Sequence, residues 1–286
     1  MQVNFVISVG ANIYRGYDLK TVFENLSKIG VKYVDIDFIK TVTGFGKQSE
    51  LTHLTEKDLE RAEEIKALME KYNLKSITFS GHVDLSLKED VGLFLKKMEF
   101  AKALGVKYIS TNAGPLVREK EFFENIDVVE KKARELDMIV CLETEMPGDI
   151  IQKGEDGVEV LRRIDSPYVK MTYDFGNTYY ASRGGVDLVE DFERSLDFIG
   201  NLHFKDAILE NGTYRYCTIG EGIIEYRKIA DVLKKHGRTF PITIEIPYYF
   251  ESVNWSPFKM TDEKRDLEEI NKMVKKSMEF IESILK

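Results

Sequence analysis

Apolar segments of strand length recur along this chain at near-constant spacing, and that periodicity restricts the fold more than any other feature. The runs occupy residues 3–9, 33–38, 75–80, 107–111, 138–143, 169–174, 201–204 and 241–246. Their starts lie mostly ~31 residues apart, with two intervals of ~41, which is the mark of a repeated supersecondary unit. Helical patterns fill the gaps at residues 18–29, 55–72, 88–104, 121–136, 157–164, 188–198, 226–236 and 262–285. Thr55-Glu56-Lys57-Asp58 has the form of a capping box, and Gly30, Gly105 and Gly237 each follow a helical pattern where a left-handed residue ends a helix. Eight strand-helix units without a linker or a composition shift predict an α/β protein, a single (β/α)8 TIM barrel over residues 1–286. An open doubly wound sheet is the competitor. Ser8-Val9-Gly10-Ala11-Asn12 lacks the G-x-G-x-x-G turn of that fold.

In such a barrel the strand C-termini carry the chemistry. Four runs end on ligand-type residues: Glu143, Asp174, His203 and Glu245. A buried carboxylate without a partner is disfavoured by several kcal/mol or more, so these groups must be paired, neutralised or bound to an ion. If the four strands are neighbours, three carboxylates and an imidazole converge, a set suited to one divalent ion such as Mn²⁺, Co²⁺, Mg²⁺ or Zn²⁺. Its oxygen-rich character favours Mn²⁺ or Mg²⁺. The competing account keeps His203 as a core histidine and the carboxylates in separate salt bridges.

Long connections at about 39–54, 205–222 and 247–260 leave the same rim and predict a lidded pocket for a small molecule. The first holds Thr43-Gly44-Phe45-Gly46-Lys47 and the last Tyr248, Tyr249, Phe250 and Trp255. The aromatic loop is also suited to a contact between subunits of a homo-oligomer. Asp35 and Asp37 share one strand face that could reach the lumen, and read as a structural ion pair or as substrate contacts, while His82 and Asn112 stand at the rim as substrate ligands or loop caps. Gly220-Glu221-Gly222 reads as a turn into the seventh helix or as a phosphate cradle, and His53 and His236 read as solvent-facing.

Composition narrows the function classes. The net charge of -8 and the lack of a Lys/Arg block interleaved with aromatics argue against nucleic acid. No apolar run approaches the ~20 residues needed to cross a bilayer, so no membrane role is expected. The N-terminus lacks a basic n-region, and two cysteines are too few for a disulfide scaffold; a cytoplasmic protein is expected.

Five segments together resemble the xylose isomerase-like barrel superfamily, in its sugar isomerase/epimerase branch with ketose 3-epimerases and inositol-catabolism proteins. They are Leu142-Glu143, Tyr173-Asp174-Phe175-Gly176-Asn177, Leu202-His203-Phe204-Lys205-Asp206, Ile219-Gly220-Glu221-Gly222-Ile223-Ile224-Glu225-Tyr226 and Thr243-Ile244-Glu245. The resemblance implies one metal ion on Glu143, Asp174, His203 and Glu245, with Glu143 and Glu245 exchanging the substrate proton through a metal-bound enediolate. It also implies an isomerase acting on a ketose or keto-sugar, free or phosphorylated. Asn177 stands where those epimerases often have a histidine, and their arginine falls near Leu209, with Lys205 or Arg215 as stand-ins for contacting substrate. The alternative activity is a metal-dependent dehydratase of a keto-inositol or related acid. DNA-repair endonucleases of the same fold use a larger metal set than four histidines and an acidic chain support.

Overall fold

The computed structural model describes residues 5–40 and 51–286. Eight parallel strands run in the order β2-β1-β10-β7-β6-β5-β4-β3: β1 (Ile7–Gly10), β2 (Tyr33–Asp35), β3 (Thr78–Asp84), β4 (Tyr108–Asn112), β5 (Ile139–Glu143), β6 (Val169–Asp174), β7 (Ile199–Phe204) and β10 (Ile242–Ile244). The two ends of this sheet meet through Val34 N–H to the Lys75 carbonyl at 2.9 Å and Phe38 N–H to the Ser80 carbonyl at 2.8 Å. The sheet is thereby a nearly closed single (β/α)8 barrel, as the spacing predicts. Helices cover its outside, so strands such as Ile139-Val140-Cys141-Leu142 are buried on both faces and read as continuous apolar runs.

Local chemistry sets the helix boundaries. Asp18, Asp187 and Asp266 accept backbone N–H groups at the starts of Leu19–Lys28, Leu188–Ser195 and Leu267–Leu285. Gly237 ends Tyr226–His236 at φ 59, the left-handed conformation that glycine adopts without strain. The Thr55–Asp58 capping box forms, but it closes a single 3-10 turn, Glu56–Asp58, and the helix begins only at Ala62.

The barrel interior is polar where it approaches the rim. Thr243 Oγ1 donates to Asp35 Oδ2 at 3.1 Å and lies 3.2 Å from Thr78 Oγ1, while Ser80 Oγ donates to Asp35 Oδ1 at 3.0 Å. Asp35 and Asp37 both enter the lumen, as strand alternation requires.

The expected connections 205–222 and 247–260 are largely strands. β8 (Asp206–Glu210), β9 (Thr213–Cys217), β11 (Phe250–Val253) and β12 (Lys259–Met260) form an antiparallel sheet in the order β12-β11-β9-β8. Its first hairpin turns on Asn211 and Gly212, with φ of 50 and 76, the two-residue turn that Asn-Gly favours. In the 39–54 connection, residues 41–50, with Thr43-Gly44-Phe45-Gly46-Lys47, lie outside the described residues.

Candidate metal centre

Four consecutive barrel positions bring the ligand-type residues together. Glu143 ends β5, Asp174 ends β6, His203 is the penultimate residue of β7 and Glu245 directly follows β10. Register places Asp174 beside His203 and His203 beside Thr243, and Glu245 N–H still donates to the Phe204 carbonyl at 3.0 Å. All four are at most 2% exposed, and one ligand atom from each lies within 4.8 Å of every other.

The electrostatics follow from three carboxylates packed in one dry place. His203 Nδ1 is 2.9 Å from Glu143 Oε1 and 3.7 Å from both Asp174 Oδ2 and Glu245 Oε2. The Lys205 ammonium stands 2.7 Å from Asp174 Oδ2, 2.8 Å from Glu245 Oε2 and 3.6 Å from Glu143 Oε1. Burial pulls the His203 and Lys205 pKa values down, but the surrounding carboxylates outweigh it and hold both well above their ordinary range. Burial raises Glu143, and the His203 and Lys205 charges overcome that to leave it below the usual carboxylate range.

The donor set fits a divalent ion. His203 Nε2 and Glu143 Oε2 are buried and carry no hydrogen bond, although such atoms are ordinarily partnered. With carboxylate oxygens from three residues and one imidazole, the cluster could hold one metal ion. Neighbours orient two of the clustered carboxylates from behind: Asn177 N–H donates to Asp174 Oδ1 at 2.9 Å, and Asn12 Nδ2 donates to Glu245 Oε1 at 3.3 Å and to Asp37 Oδ1 at 3.2 Å.

A cavity of about 580 Å³ opens over Glu143 and Glu245. His82 lines it from β3 with Nε2 3.2 Å from Asp37 Oδ1; its φ of 36 is a left-handed conformation unusual for histidine. Asn112 lines it from the end of β4 and donates from Nδ2 to Glu145 Oε1 at 2.7 Å. Asn177 lines it from the helix Phe175–Ala181, with Nδ2 donating to the Thr144 carbonyl at 3.1 Å.

Several expectations change. Lys205 does line the cavity, but its ammonium lies among the ligand carboxylates. Arg215 is exposed on β9 and does not line the cavity, because side chains alternate along that strand and its neighbour Tyr216 takes the inward position. His53, expected to face solvent, is buried against the cavity, whereas His236 is exposed beside Glu193. Of the aromatic loop, Tyr249, Phe250 and Phe258 reach the cavity, and Trp255 packs instead on Tyr179, Tyr180 and Tyr214.

Sequence reasoning passed over Asn12, Glu145, Asp149 and Tyr216, which all line the cavity. Two signals were present: Asn12 follows β1 at the rim, and Glu145 lies two residues beyond Glu143, where alternation repeats a face. Asp206 was overlooked as well. Its fully buried carboxylate accepts the backbone N–H groups of Ala207, Gly220, Gly222 and Ile224 at 2.9 to 3.1 Å, so Gly220-Glu221-Gly222 is a turn wrapped around the chain's own anion.

Solved structures with this fold include the D-psicose 3-epimerase of Clostridium cellulolyticum H10 with D-tagatose. It is 15% identical with a TM-score of 0.73 and covers 98% of this chain and 99% of its own. The 3-keto-D-glucoside 4-epimerase of E. coli is 15% identical with a TM-score of 0.69, covering 98% and 100%. The probable 3-DHS dehydratase of Bacillus anthracis is 17% identical with a TM-score of 0.67, covering 97% and 98%. Further structural neighbours include a D-psicose 3-epimerase, an L-ribulose 3-epimerase and a D-tagatose 3-epimerase-like protein, and at these identities the likeness is one of fold. No match to a curated protein was found. A family model described as xylose isomerase-like TIM barrel matches residues 23–284. With most of its length inside that one model and its strands closed in the order a barrel requires, the chain belongs to the xylose isomerase-like TIM barrel family.

Proposed function

We propose that the protein is a divalent-metal-dependent sugar isomerase or epimerase that moves a proton beside the carbonyl of a ketose or keto-sugar. The observation that carries this reading is the pairing of two buried glutamates, Glu143 and Glu245, with Asp174 and His203 at the floor of a cavity of monosaccharide size. Asp174, His203 and the two glutamates would hold the ion, Mn²⁺ in preference to Co²⁺, Mg²⁺ or Zn²⁺. When bound, it supplies Lewis acidity that makes the hydrogen on the neighbouring carbon removable.

The remaining chemistry falls to side chains. β6 and β7 separate the strands of Glu143 and Glu245, so the two carboxylates approach a bound molecule from different sides. One takes the proton from carbon, and the other returns a proton to the opposite face for epimerisation or to the adjacent carbon for isomerisation. Asn12 holds Glu245 in position through its amide hydrogen bond. His82, Asn112 and Asn177 offer polar groups to substrate hydroxyls from three sides of the cavity. Free Cys141 and Cys217 suit a reducing cytoplasm.

The test is a ketose panel in deuterated buffer with added Mn²⁺, read by mass spectrometry and NMR for carbon-bound deuterium. Glu245→Gln is expected to lower turnover by roughly 10²–10⁴-fold. Full activity of that variant with metal bound would refute the two-glutamate mechanism. A dehydratase is the second reading, favoured by a third carboxyl, Glu145, on the same cavity and by the fold shared with the 3-DHS dehydratase. A new enone absorbance without deuterium-labelled starting sugar would select it.

A further inference from the structure

The wall of the barrel holds a buried amine that the proposed chemistry does not use. Lys97, on the helix Lys88–Ala103, has no solvent exposure, and its Nζ donates to the Phe38 and Gly81 carbonyls at 2.6 Å each. The same atom lies 4.9 Å from the centre of the Phe38 ring. Among the described residues, Asp90 on its own helix, Lys40 after β2 and Glu56 in the turn Glu56–Asp58 are the charged groups that face it. An apolar side chain would fill this place without the cost of burying an amine. What the amine adds is a tie between β2 and β3, the two ends of the sheet, where pairing consists of single bridges, Tyr33 with Lys75 and Asp37 with Ser80.

Both tied carbonyls adjoin a residue of the cavity. Phe38 follows Asp37, and Gly81 precedes His82. β3 shifts its register against β4 between Ser80 and Asp84, and within that irregular stretch His82 takes its φ of 36. A histidine keeps such a conformation only where its surroundings impose it. On one side the stretch is confined by β4, since a Cβ on Gly81 would stand 2.9 Å from the Ser110 carbonyl. On the other side Lys97 holds the Gly81 carbonyl. His82 thereby reaches the cavity with Nε2 3.2 Å from Asp37 Oδ1, the oxygen that also accepts from Asn12 Nδ2 at 3.2 Å. An ammonium has three N–H groups and a neutral amine keeps two, so both carbonyls are held in either protonation state.

We propose that Lys97 is a positioning residue: by holding the Phe38 and Gly81 carbonyls together, one buried amine outside the cavity fixes the Asp37–His82 pair in the orientation that meets a bound molecule. The proposal rests on the sugar-isomerase reading only for the hydroxyl group that His82 would meet. The placement of His82 against Asp37 is tested without any substrate.

His82 carries the readout. Burial lowers its pKa, but the hydrogen bond to Asp37 and the carboxylates around it outweigh that and raise it. In full-length protein labelled at histidine Cε1 and loaded with diamagnetic Mg²⁺, the His82 NMR signal is identified by its loss in His82→Asn. Its titration midpoint is then compared in wild type, Lys97→Met and Asp37→Asn, the last giving the midpoint without the carboxylate. Lys97→Met is expected to lower the midpoint most of the way to that of Asp37→Asn, while His203 and His236 keep theirs. Loss of a nearby positive charge would by itself raise the midpoint, so the direction separates positioning from charge. A midpoint that stays or rises overturns the proposal. So does an equal movement of His203 and His236, which would mean a general loosening of the fold. If Lys97→Met does not fold, Lys97→Gln takes its place: its donor is one bond shorter and cannot hold both carbonyls where they are, so a smaller fall is expected and no fall overturns the proposal. Failure of the ketose panel would remove the isomerase reading and leave this result standing.

Discussion

Lys97 offers the sharpest test of the physical account, because it carries a charge into the wall that supports the cavity. It is fully buried on the helix Lys88–Ala103, and its Nζ donates to the carbonyls of Phe38 and Gly81 at 2.6 Å each. Those residues adjoin Asp37 and His82, so the ammonium ties down the seam where the sheet closes beside the site. Burial lowers its pKa from 10.5 to about 7. A lysine depressed on folding costs stability at every pH below its folded value, and the cost is relieved as pH rises towards the unfolded value. The 3.5-unit difference, 10.5 minus 7, corresponds to about 5 kcal/mol at most. The two carbonyl bonds favour the charged form, so that figure is a ceiling.

Lys97→Met keeps the stem and removes the ammonium. At pH 7 the lost bonds, at roughly 1.5–3 kcal/mol each for a charged donor, offset much of the relieved desolvation, and the net change is small. The pH dependence does not cancel. Between pH 7 and 9.5 the wild-type protein should gain about 3 kcal/mol relative to the variant, because the unfolded chain binds a proton that the folded one has lost. Urea unfolding at half-unit pH steps measures this, and other titrating groups are common to both proteins. A difference flat to within about 0.5 kcal/mol, well below the ~3 expected, would show that Lys97 stays charged at no cost and would refute the reasoning.

Other outcomes follow from the same geometry. Lys205→Met should destabilise the metal-free protein by about 3–5 kcal/mol, because three buried carboxylates lose their nearest ammonium. Adding Mn²⁺ should restore much of that loss, so the melting shift on metal addition should be larger in the variant than in wild type; an equal or smaller shift would contradict this. Wild-type protein at a hundredfold excess of Mn²⁺ over its Kd should gain about 2.7 kcal/mol, reversed by a chelator, with about one ion per chain by elemental analysis. Gly222→Ala would drive a Cβ into Asp206 Oδ1 and the Ala207 carbonyl, and a loss of about 1–3 kcal/mol is expected from chemical denaturation. Unchanged stability would mean that the amide cradle is looser than its bonds imply.

The barrel itself was legible because its strands are buried on both faces. A parallel strand under helices must be apolar throughout, so runs such as residues 138–143 and 169–174 stand out against amphipathic neighbours, and their spacing counts the units. The buried cluster of ligand-type residues was legible for the converse reason: Glu143, Asp174, His203 and Glu245 break those runs at their C-terminal ends, where an unpaired charge has no place. The aromatic wall from Tyr249 and Phe250 also followed from position on the rim.

The rim sheet could have been anticipated from Glu210-Asn211-Gly212-Thr213, a two-residue turn between alternating segments, and that pairing would have turned Arg215 outward and Tyr216 inward. Other assignments needed coordinates. Whether Lys205 faces the carboxylates or the solvent, whether His53 is buried, and whether Gly220-Glu221-Gly222 cradles a ligand or Asp206 depend on contacts between segments far apart in the chain. Periodicity and burial patterning are properties of each segment alone, so the sequence determined the repeat, the strand ends and the four ligand-type residues. The charge balance of the cavity was decided only by the tertiary structure, because a carboxylate's partner is set by what lies within a few ångströms of it in the fold.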